Sequence, residues 1–298
     1  MKNNNQQNQV NINWYPGHMA KAKRLIKERL DLIDVVYELV DARIPFSSKL
    51  RDMDEVIGNK PRLLIMTKAD LCDRKETQKW ISYYEKLGNE VVLIDGEKKL
   101  PMNEIMEKTM ELMKDVFEKR EKKGLNARKA RVLVIGIPNV GKSTFINRIV
   151  GKKAVNVGNK PGVTKTLDWI RINENIELMD SPGILWPKLD DNFIAFNLAS
   201  LTAIKEEILP LYDVIVYLLE TLYQYYPEVL KERYGIEELD EDPVETLEKI
   251  GKRRGCVIRG GEIDYEKVYS VILTDIKNGA IKNITFDRFD ERMKELEG

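Results

Sequence analysis

Short apolar runs rich in β-branched residues recur along the first 180 residues: VVYELV at 35–40, RLLIMT at 62–67, VVLID at 91–95, RVLVIG at 131–136, WIRI at 169–172 and IELMD at 176–180. Runs of this length with little alternation suit strands buried on both faces, and the helical or turn-rich stretches between them predict a parallel α/β sheet. Ahead of the first run, Ala22, Leu25, Ile26, Leu30 and Ile33 fall at helical spacing, while Lys21, Lys23, Arg24 and Lys27 take other faces. That spacing predicts an amphipathic helix with a basic outer side. Residues 104–124 are helical in period and end in charge and Gly124. Beyond Trp186 the pattern changes. Residues 192–209, 212–226, 243–255 and 264–279 all read as helices. The expectation is an α/β domain over 13–188 and a smaller all-α domain over 189–298, divided near 186–191 where Pro187 ends the sheet-like pattern. The Asn- and Gln-rich start, residues 1–12, predicts a disordered tail, because it buries too little to offset its ordering entropy.

Composition narrows the class only a little. Hydrophobic residues make up 43% of 298, enough for real cores. Lys+Arg and Asp+Glu both total 49, so any nucleic-acid contact must come from local segregation of basic residues. Cys72 and Cys256 stand far apart without metal-ligand spacing, which suits free thiols in a reducing compartment. No apolar run approaches the roughly 18 residues of a membrane span, so a cytoplasmic protein is expected.

Candidate chemistry changes the picture more. GIPNVGKST, Gly136 to Thr144, follows a predicted strand and precedes the helical FINRIV, so GxxxxGK[ST] stands in the context its mechanism requires. There Pro138, Asn139, Val140, Gly141, Lys142, Ser143 and Thr144 surround phosphates with backbone N–H groups and a helix N-terminus. Lys142 reaches the β/γ oxygens and Ser143 ligates Mg²⁺. Such a loop reads only phosphates. The base is read elsewhere: Thr67, Lys68 and Asp70 of TKAD close the strand RLLIMT, where the Asp70 carboxylate can accept from guanine N1–H and the 2-amino group together. Adenine lacks that donor pair, which predicts GTP or GDP as the ligand. DSPG places Asp180 to hold Mg²⁺ and the Gly183 N–H to approach the γ-phosphate as a catalytic contact. PGVTKT offers Thr164 as a further metal ligand, or as an ordinary turn threonine.

The order of these elements is unusual: base reading comes first, then the phosphate loop, then PGVT and DSPG. This resembles the circularly permuted P-loop GTPases. WYPGHMAKA, DARIP (41–45), TKAD, GIPNVGKST, PGVTKT, DSPG and RRGCVIRGGEIDYE together are similar to the ribosome biogenesis GTPase A family, from about Trp14 to near the C-terminus. The resemblance implies a GTPase-like doubly wound sheet in permuted order with a helical C-terminal domain. It also implies a GTP-hydrolysing switch in late maturation of the large ribosomal subunit, binding rRNA, stimulated there and monomeric when free. Two basic clusters agree with it, Lys21, Lys23, Arg24, Lys27 and Arg29, and Lys252, Arg253, Arg254 and Arg259, although solvated charge explains either alone. A GTPase acting on another RNA, or a P-loop small-molecule kinase, is the competing reading.

Three positions depart from the usual pattern or stay open. Thr67 stands where Asn is usual, removing an amide that can bridge to the phosphate loop. VLIDGEKKL lacks the Ser-Ala pair that often backs guanine, so no base contact is assigned around Asp95 and Gly96. Ile184 follows DSPG where glutamine often orients the water, and an aliphatic side chain cannot do so. The resemblance offers His18, the only histidine, as the catalytic group. An RNA contact and a structural role are the other readings of His18. Asn139 resembles the asparagine of potassium-activated GTPases, with a solvated loop amide as the alternative.

Overall fold

The computed structural model describes residues 12–13, 17–124, 128–151, 169–181, 188–189, 191–204 and 210–297, with the backbone alone for 17–19. The chain opens with β1 (Ile12–Asn13) and α1 (Gly17–Arg29), whose Ala22 and Ile26 are buried as the helical spacing predicts. Then follow β2 (Val35–Asp41), α2 (Asp54–Ile57), β3 (Arg62–Thr67), α3 (Arg74–Lys86), β4 (Glu90–Leu93), α4 (Met102–Lys122), β5 (Ala130–Gly136) and α5 (Lys142–Val150). The sheet is completed by β6 (Trp169–Arg171) and β7 (Ile176–Asp180). After β8 (Lys188–Leu189), which pairs with β1, come α6 (Asn192–Ser200), α7 (Leu211–Tyr225), α8 (Pro227–Tyr234), α9 (Pro243–Arg254), α10 (Tyr265–Lys277) and α11 (Phe289–Glu297).

The main sheet has six strands in the order β4-β3-β2-β5-β7-β6. Strands β4, β3, β2, β5 and β7 are mutually parallel, and every residue of β2 is buried, in keeping with a sequence that is apolar but for Glu38 and Asp41. Only β6 is antiparallel. Too few residues separate it from β7 for a crossover. Asn173 instead closes a tight turn by accepting from the N–H groups of Asn175 (2.8 Å) and Ile176 (2.9 Å). From β2 the chain winds outward through β3 and β4; from β5 it winds the other way to β7. The adjacent ends of β2 and β5 are therefore a topological switch point, where open α/β sheets bind ligands.

In the helical region two expectations shift. The helix read over 192–209 stops at Ser200: Thr202 turns left-handed (φ 56°), and the N–H groups of Thr202 and Ala203 return to the carbonyls of Ala199 and Leu198. Helices α8 and α11, short and rich in charge, carried too little periodicity to be read. The last segment then returns to the sheet. Phe286 N–H donates to the Arg43 carbonyl (2.8 Å), Trp80 Nε1 to the Asp287 carbonyl (2.8 Å), and Phe289 packs edge-on against Trp80.

Candidate nucleotide site

The phosphate loop leaves β5 at the switch point. Gly136 lies opposite Leu39 in the β2–β5 register, and a Cβ there would meet the Leu39 carbonyl at 2.8 Å and Val140 Cγ1 at 2.9 Å, so only glycine fits. Pro138 and Val140 are buried, Asn139 (φ 60°) and Gly141 (φ 103°) reverse the chain, and α5 begins at Lys142. Ser143 and Thr144 thus occupy the first turn of α5, where the backbone N–H groups have no helical partner and favour an anion. The Lys142 ammonium is buried and donates to the carbonyls of Gly136 (2.9 Å) and Ile137 (3.1 Å). Burial pushes its pKa down to about 8, against the attraction of the Asp180 carboxylate. Asp180 is itself buried at the end of β7, paired with Val134 of β5.

The base-reading turn leaves β3 alongside. Thr67 Oγ1 donates to the Val140 carbonyl at 2.7 Å, with Val40 O at 3.1 Å. The bridge lost with the absent asparagine is therefore made by a hydroxyl, one bond shorter in reach, because β3 and the phosphate loop lie close enough. Lys68, at φ 59°, donates to the Asn139 carbonyl (2.9 Å) and pairs with Asp41 (2.8 Å). Asp70 Oδ1 accepts from the Gly96 N–H at 2.5 Å, and a Cβ on Gly96 would lie 3.0 Å from that oxygen. The loop after β4 thus closes against the Asp70 carboxylate. It is held by Asp95 Oδ1, which accepts from the N–H groups of Glu97 and Lys98, and by Arg148 of α5, which donates to the Asp95 carbonyl.

Beneath this turn lies a pair to which the sequence attached no role. Arg43, fully buried, donates from Nε (3.0 Å) and NH2 (2.9 Å) to the Asp41 carboxylate and from NH1 to the Ile276 carbonyl of α10. Burial works to raise the Asp41 carboxyl, but the Arg43 and Lys68 cations override it and hold it well below the usual carboxylate range. Burial also lowers the Lys68 ammonium, with Asp41 opposing. A carboxylate ending a mostly apolar strand, two residues before an arginine, was the available signal. The structure also ties the Asn139 amide, Nδ2 donating to the Thr202 carbonyl (2.6 Å) and Oγ1 (3.3 Å), so it is not a solvated loop amide.

Thr67, Lys68, Asp70, Asn139, Val140, Lys142 and Asp180 are therefore gathered along one end of β3, β5 and β7. Thr164, Gly183 and Ile184 lie outside the described residues. His18 stands in the first turn of α1, and its side chain is likewise outside them. The hydroxyl of Ser143 and the carboxylate of Asp180 are hard oxygen donors, the kind Mg²⁺ takes together with phosphate oxygens.

A strand, phosphate loop and helix at a switch point, beside a carboxylate turn that precedes them in the chain, make this a permuted P-loop GTPase. The profile of the 50S ribosome-binding GTPase family matches residues 131–259. The Ribosome biogenesis GTPase A of Priestia megaterium is 46% identical over 279 residues, covering 93% of this chain and 97% of that one. The Thermotoga maritima protein of the same name is 31% identical over 277 residues, covering 93% and 94%. The chain belongs to the ribosome biogenesis GTPase A family. Its fold matches the crystal structure of GNP-bound YlqF from T. maritima at a TM-score of 0.66 and 26% identity, over 90% of this chain and 98% of that one. The GDP-bound YlqF structure matches at 0.64 and 25%, over 90% and 100%.

Proposed function

We propose that this GTPase is a switch that binds the precursor of the large ribosomal subunit through its rRNA and promotes late assembly in the cytoplasm. The observation that carries the nucleotide half is the pair of hydrogen bonds from Thr67 and Lys68 to the carbonyls of Val140 and Asn139, which makes the base-reading turn and the phosphate loop one continuous site. The names of the relatives and the matching 50S ribosome-binding profile support the ribosomal half. Exposed Lys21, Arg24 and Lys27 on α1, and exposed Lys252, Arg253, Arg254 and Arg259 at and beyond the end of α9, supply cations for a phosphate backbone. Residues 189–298 form the helical part proposed to dock there. Among the described residues no helix is long and apolar enough to cross a membrane.

Ser143, Thr164 and Asp180 would hold Mg²⁺, which would supply positive charge beside the phosphates. Lys142 binds the β/γ oxygens and stays protonated there, the Gly183 N–H takes the γ-phosphate, and Asp70 orients the base. Asn139, its Nδ2 engaged with Thr202, would have its amide oxygen left to hold a K⁺. Since Ile184 cannot orient water, His18, at the start of α1, does so when the protein is bound to the ribosomal particle. The test is GTP turnover with and without purified large subunits. Stimulation is expected, lost in His18→Ala with binding of GTP and subunit retained. Equal turnover in both conditions removes the ribosomal reading, and unaltered stimulation in His18→Ala removes the catalytic role of His18. Turnover in KCl above that in NaCl checks the K⁺ site.

A further inference from the structure

The turn that carries Asp70 is short, running from Lys68 to Asp73, with internal hydrogen bonds from Leu71 N–H to the Lys68 carbonyl (3.0 Å) and from Cys72 Sγ to the Ala69 carbonyl (3.4 Å). Its outer edge is held by chain more than 200 residues away. Ile284 N–H donates to the Leu71 carbonyl (3.2 Å), and Asp73 N–H donates to Thr285 Oγ1 (3.1 Å). Thr285 is fully buried, its hydroxyl 3.1 Å from that of Thr77, which in turn donates to the Ala42 carbonyl. Tyr226, just after α7, donates to Asp73 Oδ2 (3.1 Å) and accepts from Thr285 N–H (3.0 Å). Gly279, at φ 76°, lets the chain pass so near that a Cβ would come 2.6 Å from Leu71 Cδ2. These contacts, part-buried at Asp73 and Tyr226 and buried at Thr285 and Thr77, fix where the turn sits.

We infer that the segment Gly279–Asp287, with Tyr226, is a positioning element for base recognition: it sets the turn that aims Asp70 and so governs guanine discrimination without touching the nucleotide. This rests on the reading of Asp70 as the guanine acceptor. Among the described residues no contact runs from that segment to Gly136–Lys142, whose lysine bonds back to the loop's own carbonyls. Displacing the segment therefore loosens the base and leaves phosphate affinity in place, which gives a partner bound to the helical region a route to nucleotide release.

The readout is the ratio of dissociation constants for Mg·IDP and Mg·GDP by calorimetry, since inosine lacks the 2-amino group that Asp70 accepts. Thr285→Val and Tyr226→Phe keep shape and remove the hydroxyl; each is expected to lower the preference for GDP by roughly three- to tenfold, the worth of one net hydrogen bond. IDP keeps the N1–H that Asp70 also accepts, so its affinity should fall less than that of GDP, and Thr285→Ser should retain the wild-type preference. An unchanged ratio in folded variants that lose only melting temperature overturns the inference. If Thr285→Val does not fold, Tyr226→Phe decides alone. Wild-type protein that binds ADP as well as GDP would instead overturn the guanine reading, and the inference with it.

Discussion

The two ends of the site are held in different ways. The phosphate loop has supports of its own, besides its bonds to Thr67, Lys68 and Thr202: Lys142 returns to carbonyls five and six residues earlier, Gly136 packs on the neighbouring strand, and α5 follows at once. The base-reading turn depends on distant chain, on Arg43 reaching Ile276 and on Asp73 reaching Thr285. A short loop can satisfy its polar groups by curling on itself around an anion. A turn that must present one carboxylate at a set angle has few groups of its own, so it borrows partners. Local supports are insensitive to the rest of the fold, whereas borrowed ones make recognition responsive to it.

The largest expected effect breaks the borrowed side. Arg43→Ala leaves the buried Asp41 carboxylate with Lys68 alone, and removing one partner of a buried pair costs about 3–5 kcal/mol. Urea unfolding should show that loss, and guanine preference should fall with it. Lys142→Ala breaks the local side. GTP turnover should drop by about 10²–10³-fold, as for loss of one group that stabilises transition-state charge, with unfolding little changed.

A third expectation sharpens the comparison through pH. Asp287 Oδ2 accepts from the N–H groups of Phe46 (2.6 Å) and Ser47 (2.7 Å), and Oδ1 from Ser47 Oγ (2.6 Å) and Asn197 Nδ2 (2.8 Å). Burial nevertheless raises its pKa from 3.8 to about 6, the hydrogen bonds offsetting only part. The folded state thus holds this proton more tightly than the unfolded one. The stability it contributes is fully present below pH 3.8 and is lost as pH rises through about 6. Urea midpoints between pH 4 and 7 should show that decline in wild type and a flatter profile in Asp287→Asn. The smallest effect tests the seam between the two ends. Thr67→Val removes the hydroxyl bridge to Val140 and should cost about 1 kcal/mol in stability, with a comparable loss of nucleotide affinity.

From its residues alone the chain determined its strands, the strand-loop-helix around GIPNVGKST and the permuted order of its motifs, because apolar runs, glycine spacing and a helix start are local patterns. It also determined the chemistry present: one lysine among glycines, and carboxylates closing strands. Tertiary structure alone decided that β6 runs antiparallel, that a threonine hydroxyl spans the gap left by a missing asparagine, and that Arg43 and Thr285 support the base-reading turn. Those outcomes depend on distances between segments far apart in sequence. Neither periodicity nor motif spacing records such distances; they follow from how the sheet winds outward from β2 and β5, and from where the last helices fold back upon it.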